Sequence, residues 1–266
     1  IFHLNQYKYD YHKVVNLYIT GFDSFFSRTL RNFATNCSFT EVEKLTDSDS
    51  KHMEFIIPDF TENSFIIHSA WNMNERNIDA SFKINVEGTK KFFHSLDERM
   101  QKRFIFVSST SAFEGTKSIY GKHKFEVENY ILSKGGKILR CGLIVNEQNP
   151  FEAGFFADLY NTARKIPIIP NFTGNMKIYE ITTGMKLCEY VLELTNSDLK
   201  IGEAYSDELY SFNELVKDYM GLKNKILNVH WRIGLFISKV FELLNINFGV
   251  SVDSIYSIRS KINRLQ

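Results

Sequence analysis

The chain has 266 residues, 44% of them hydrophobic and 24% charged, enough apolar material for a substantial buried core. With 14 glycines and only 4 prolines, collagen-like, linker-like and disordered readings are excluded. Lysine and arginine total 32 against 31 acidic residues, so no global basic excess points to a nucleic acid or an anionic membrane.

Short apolar runs alternate with longer amphipathic ones. Val14 to Gly21 is an apolar run ending in glycine, as buried parallel strands do. Phe25 to Ala34 follows with helical spacing, and Phe39 to Leu45 reads as a second strand. Phe65-Ile66-Ile67-His68 and Phe104-Ile105-Phe106-Val107 are further strands, with helical stretches at Ala80–Leu96 and Tyr120–Leu132. Ile138-Leu139-Arg140 joined to Leu143-Ile144-Val145 reads as one more strand. This alternation predicts βαβ units, hence an α/β doubly wound parallel sheet with its ligand crevice outside the carboxyl ends of the strands. We place this domain at residues 1–145 and a smaller C-terminal, substrate-binding portion at 146–266. Helices are expected there at Met185–Leu194, Asn213–Tyr219 and Trp231–Leu244. The stripe Ile233, Phe236, Ile237, Val240, Phe241, Leu244 keeps the i, i+3, i+4, i+7 rhythm, and we expect it to pack inside its own domain rather than on a membrane surface.

Three cysteines, Cys37, Cys141 and Cys188, lie far apart, and the histidines show no ligand spacing. No disulfide framework or metal site is expected, and a reducing cytoplasm is the natural compartment. The start, 1–13, is polar and tyrosine-rich rather than basic then apolar, and no run of 18 uncharged residues occurs to span a membrane.

The strongest chemical constellation is Ser108-Ser109-Thr110-Ser111 at a strand end, followed by Tyr120 and Lys124 four residues apart on one helix face. An ammonium beside a phenol stabilises the phenolate and lowers its pKa, and a nearby hydroxyl orients the same substrate oxygen. That set makes a proton donor and acceptor at an alcohol or carbonyl carbon, as hydride chemistry requires. His68 reads as a strand-end core residue.

Five ordered segments resemble the extended short-chain dehydrogenase/reductase superfamily, in its nucleotide-sugar epimerase/dehydratase branch. These are Leu17-Tyr18-Ile19-Thr20-Gly21, Phe65-Ile66-Ile67-His68-Ser69-Ala70, Asn85-Val86-Glu87-Gly88-Thr89, Val107 to Phe113, and Ile138 to Leu143. The resemblance, running from Val14 to about Thr183, implies a Rossmann-type fold, a nicotinamide dinucleotide and an oxidoreductase or isomerase acting on a nucleotide sugar. It implies Ser109, Tyr120 and Lys124 as the catalytic set, with Lys124 also gripping the nicotinamide ribose. Cofactor contacts are implied at Gly21, Ser24, Phe25, Glu43, Asp59, Ser69, Ala70, Trp71, Asn85, Tyr120, Lys124 and Leu143. Glu43 facing the ribose argues for NAD, the favoured form, whereas Lys44 facing a 2′-phosphate argues for NADP. A homodimer built on Rossmann-domain helices is also implied.

Two of the family's three turn glycines are replaced here, by Ser24 and Ser27. A Cβ costs energy where φ must be positive and pushes a diphosphate outward. The alternative is therefore a degenerate, non-catalytic Rossmann protein that binds a dinucleotide or a protein partner. Thr110-Ser111 stand where a dehydratase of the family carries Asp-Glu, which favours epimerase or reductase chemistry.

Overall fold

In the computed structural model, residues 15–34, 39–44, 60–73, 75, 77–243 and 251–265 are described. The first part of the chain gives β1 (Val15–Thr20), α1 (Phe25–Ala34), β2 (Phe39–Lys44), β3 (Ser64–His68), α2 (Ile78–Ser81), a π-helical stretch (Phe82–Glu87), α3 (Gly88–Ser95) and α4 (Glu98–Lys102). It continues through β4 (Phe104–Ser109), α5 (Ile119–Ser133), β5 (Lys137–Cys141), β6 (Leu143–Val145), α6 (Gly154–Ala163), β7 (Ile168–Asn171), β8 (Lys177–Thr183) and α7 (Gly184–Asn196). Last come β9 (Ile201–Ala204), β10 (Leu209–Ser211), α8 (Phe212–Glu214) with a second π-helical stretch (Leu215–Tyr219), β11 (Lys225–Asn228), α9 (Trp231–Leu243) and α10 (Val252–Leu265).

Six strands form one parallel sheet in the order β2-β1-β3-β4-β5-β9. The α/β doubly wound fold expected from the alternation is thus present. Both sheet faces are covered, so the strands read as continuous apolar runs whose alternate residues serve different layers. Leu17, Ile19, Ile67, Ile105 and Leu139 pack with α1 and α7, while Ile66, Phe104, Phe106 and Ile138 pack with α3 and α5. Because β2 and β3 flank β1 on opposite sides, the switch point falls at the carboxyl ends of β1 and β3.

Three expectations need correction. Ile138–Val145 is two strands in different sheets, not one. A side chain at Gly142 would come within 2.3 Å of the Glu180 carbonyl oxygen, so the chain turns there and β6 joins β8 and β10. Gly142 N donates to Thr182 Oγ1 at 2.8 Å, and Thr182 in turn donates to Ala204 O, stitching the two sheets together. The boundary at 145/146 is not a clean one either. α7 and β9 return to the large sheet, where Leu187, Cys188, Val191 and Leu194 are buried against α1. Finally, a further helix, α10, follows α9, and three residues of the apolar stripe face outward, while Ile237 is half-buried and the Phe241 side chain and Leu244 lie outside the described part. Ile233, Phe236 and Val240 are 54%, 69% and 38% exposed. Among the described residues no helix is long and apolar enough to cross a membrane.

His68 is a core residue, as its position at a strand end suggested. Its ring nitrogens pair with Thr20 Oγ1 at 2.7 Å and Thr89 Oγ1 at 3.0 Å, and it stacks on Phe104 and Phe106. Burial, with help from Lys124, lowers its pKa to about 3. The unfolded chain therefore takes up a proton on this imidazole before the folded one does, and stability is lost as pH falls from 6.5 toward 3. Denaturant unfolding across that window should show His68→Asn with a shallower acid slope, by up to about 1.4 kcal/mol per pH unit.

Candidate active site

The site is assembled at the carboxyl ends of β1, β3 and β4. Gly21 ends β1 with φ +68°, and a Cβ there would sit 2.6 Å from Ala70 N. Only glycine lets the β1–α1 turn press against the Ser69–Ala70 backbone just before the N-terminus of α1. Ser24 and Ser27 fill the next two positions of this turn. Ser27 is fully buried and its hydroxyl donates to Gly21 O at 3.0 Å. Its oxygen also lies 2.9 Å from Ser69 Oγ and 3.1 Å from Ser24 Oγ, and Ser69 donates to Thr20 O at 2.8 Å. The hydroxyls close a small network that satisfies the turn's carbonyls internally. Ser24 is half-buried and stands at the outer edge, whereas Ser27 stands where α1 packs on the sheet. Phe25 opens α1, its ring beside Gly154.

Four charged or polar anchors hold α5, the helix that carries Tyr120 and Lys124. Glu128 accepts from Arg140 Nη2 at 2.6 Å and from its Nε at 3.0 Å, a buried two-pronged pair that fastens the helix to β5. At the other end Ser118 caps the helix, accepting from Gly121 N at 3.0 Å. Asp253 of α10 accepts from Ser118 Oγ at 2.7 Å and from the backbone N–H groups of Ile119 and Tyr120. Further along α10, Ser260 accepts from Lys117 N at 2.8 Å, Ser257 pairs with Ser111, and Lys261 reaches Thr110 and Glu180. A Cβ at Gly121 would lie 2.3 Å from Ser111 O, so the strand-to-helix loop crosses the helix at backbone distance.

These anchors bring Ser109, Tyr120 and Lys124 together. Ser109 lies near enough to the Tyr120 phenol to lower its pKa, and Tyr120 packs edge-on to Trp71 at a centroid distance of 6.1 Å. Lys124 is buried, and its Nζ donates to Val107 O at 2.7 Å and lies 3.8 Å from the Trp71 ring centroid. Burial lowers the lysine pKa to about 7. Desolvation likewise pushes the phenol up to about 12, against Ser109, which lowers it. The expectation that the lysine brings the phenol down is therefore corrected. The ammonium is turned to Val107 O and the indole, and desolvation outweighs it.

The remaining predicted residues divide. Asn85 is buried in the π-helical stretch, where Oδ1 accepts from Asn72 N at 2.7 Å and Nδ2 donates to Asn72 O at 3.0 Å. It pins the loop carrying Trp71 rather than facing the crevice. Leu143 packs into the apolar cluster of the C-terminal region, away from the β1–α1 turn. Glu43 lies one residue from the end of β2, paired with Tyr18, with its side chain outside the described part. Asp59 lies outside the described residues. Sequence reading missed Asp253, Lys261 and Glu180. The signal available was the spacing of Ile255, Ile258 and Ile262 behind Ser251, which marks α10. No group of three His, Cys, Asp or Glu that would hold a metal occurs among the described residues.

No protein-family model matches this sequence, and no curated protein matches it. Solved structures do resemble it. A dTDP-4-dehydrorhamnose reductase from Clostridium acetobutylicum superposes with a TM-score of 0.63 at 15% identity, over 95% of this chain and 100% of that one. The dTDP-4-dehydrorhamnose reductase from Bacillus anthracis, in complex with NADP, gives 0.64 at 13% identity over 94% and 99%. The UDP-N-acetylglucosamine 4-epimerase from Bacillus cereus gives 0.53 at 16% identity over 94% and 99%. The chain shares the Rossmann-type α/β fold of these structures, as its alternation of strands and helices led us to expect.

The two turn serines should behave differently. Ser27→Gly removes a buried, doubly bonded hydroxyl from a helix and should cost about 1–2 kcal/mol in thermal or denaturant unfolding. Ser24→Gly should leave stability nearly unchanged and tighten dinucleotide binding in calorimetry. Asp253→Ala strips the carboxylate from the open end of α5 and should lower stability by about 1–2 kcal/mol.

Proposed function

We propose that this protein is a nicotinamide-dependent reductase or epimerase of a nucleotide sugar or a related hydroxy/keto substrate. What supports the reading is the placing of Tyr120 and buried Lys124 on one helix, with Ser109 at the end of β4 acting on the phenol, next to the switch point. The similar structures named above, reductases and an epimerase, support the class.

A dinucleotide's diphosphate would lie at the Gly21 turn, over the N-terminus of α1. The backbone approaches closely there, α1 presents its N-terminus, and a single Cβ at Gly21 would collide with Ala70. Ser24 and Phe25 would stand at the diphosphate, Ser69 and Ala70 beside it, and Trp71 and Lys124 toward the nicotinamide ribose. When bound, the cofactor supplies or accepts a hydride at the substrate carbon. The chain's own residues manage the oxygen. Ser109 orients it, and Tyr120 donates its phenolic proton as the carbonyl becomes an alcohol, then regains a proton from water. Lys124 places positive charge beside the developing phenolate. NAD and NADP are both compatible with this set; the NADP complex of the Bacillus anthracis reductase supports NADP.

One set of observations favours a second reading, a non-catalytic dinucleotide or partner-binding scaffold. The turn hydroxyls bond one another, and Lys124 is turned to a backbone carbonyl.

The deciding assay screens UDP-, GDP- and dTDP-linked keto sugars for absorbance change at the reduced-nicotinamide band. Tyr120→Phe should lower turnover roughly 10²–10⁴-fold with dinucleotide affinity nearly intact. Full activity in that variant removes Tyr120 from the mechanism, and silence across the panel without dinucleotide binding establishes the scaffold. Lys124→Met should lose turnover yet keep or gain stability, because burying the ammonium is a cost to the fold. Since the lysine's folded pKa of about 7 lies below its ordinary 10.5, wild-type stability should fall as pH drops from 10.5 to 7. Lys124→Met should lack that slope in urea titrations.

A further inference from the structure

α9 turns large apolar side chains outward. Two of the positions it sets against the body are small. Gly234 rests on Phe172, where a Cβ would come within 2.3 Å of the ring, and Ser238 is 1% exposed. Its outward positions are large and apolar. Ile233, Phe236, Val240 and Leu243 are 54%, 69%, 38% and 83% exposed. Spaced by three, four and three residues, they lie within an arc of about 80° at 3.6 residues per turn. A contiguous apolar stripe on the outside of a folded chain marks an interaction surface.

The charge around the stripe identifies the partner. From Gly221 to Val240 the chain carries Lys223, Lys225, Arg232 and Lys239 and no aspartate or glutamate, although acidic residues number 31 in the whole chain. All four cations are exposed. On the helix wheel Arg232 and Lys239 fall together along one flank of the stripe. Trp231 at the start of α9 lies against two guanidinium groups, Arg232 at 5.5 Å and Arg259 of α10 at 5.7 Å. An apolar face, a flanking row of cations and a tryptophan beside arginines at the helix end are the makings of a helix that lies in a bilayer interface. We propose that α9 docks the protein flat on an anionic lipid surface, its stripe in the acyl boundary and its cations on the headgroups. The balanced charge of the whole chain gives no hint of this, because the cations are local.

Vesicle co-sedimentation of the full chain tests it, comparing phosphatidylcholine alone with phosphatidylcholine containing phosphatidylserine. Binding should be confined to the phosphatidylserine vesicles, weaken in high salt, and fall at least about tenfold in Phe236→Asp and in Arg232→Glu/Lys239→Glu. Both variants should melt at the wild-type temperature, since the altered side chains are exposed. Three outcomes overturn the proposal. One is wild-type protein that stays in the supernatant with both vesicles. Another is vesicle binding indifferent to both variants. The third is a wild-type dimer in sedimentation velocity that Phe236→Asp dissociates without any vesicle binding, which gives the stripe to a second copy.

Discussion

The carboxylate of Asp253 on the open N-terminus of α5 is the interaction on which the rest of the site depends. A helix start exposes N–H groups with no partner inside the helix, and here Ile119, Tyr120 and the Ser118 hydroxyl all donate to this one side chain. Because Asp253 belongs to the last helix, the contact reaches across more than a hundred residues and couples the C-terminal region to the helix bearing Tyr120 and Lys124. Glu128 and Arg140 fix the same helix to the sheet from behind. Tyr120 thus projects from a helix clamped at two levels, and its hydroxyl stays within reach of Ser109.

The same economy of contacts explains the turn after β1. Losing two glycines would be costly if their replacements carried unsatisfied or bulky groups. Serine adds only a hydroxyl, and in this fold each hydroxyl finds a carbonyl or another serine within about hydrogen-bond distance. Ser69 on the neighbouring strand end is the hub, bonded to Thr20 O, Gly21 O and Ser27 Oγ. The turn keeps its shape through polar bonds where the family pattern uses the absence of a side chain. Gly21 alone stays glycine, because at φ +68° and against the Ala70 backbone no bond compensates for a Cβ.

Burial sets the chemistry at the centre. Trp71, Phe106 and Tyr120 surround Lys124 with aromatic faces, which interact favourably with its ammonium yet remove it from water. The phenol pays for the same desolvation by staying protonated. Asn85, through its grip on Asn72, holds the loop that places Trp71 in this surround.

Much of this was legible in the sequence. Apolar strand runs closed by Gly21 and Ser109, the Tyr120–Lys124 spacing and the alternation of strands with helices follow from local periodicity. Local patterning therefore determined the parallel sheet, the helix boundaries near the site and the residue types gathered at β4. What depends on long-range contact was not legible. That Gly142 breaks one apolar run into strands of two sheets depends on Glu180, some forty residues away. That the phenol is raised rather than lowered depends on its burial by elements distant in the chain. Asp253 becomes a cap only because α10 folds back onto α5. The stripe on α9 has the same periodicity whether it faces in or out. Only the tertiary structure, by seating Gly234 and Ser238 against the body, decided that it faces out.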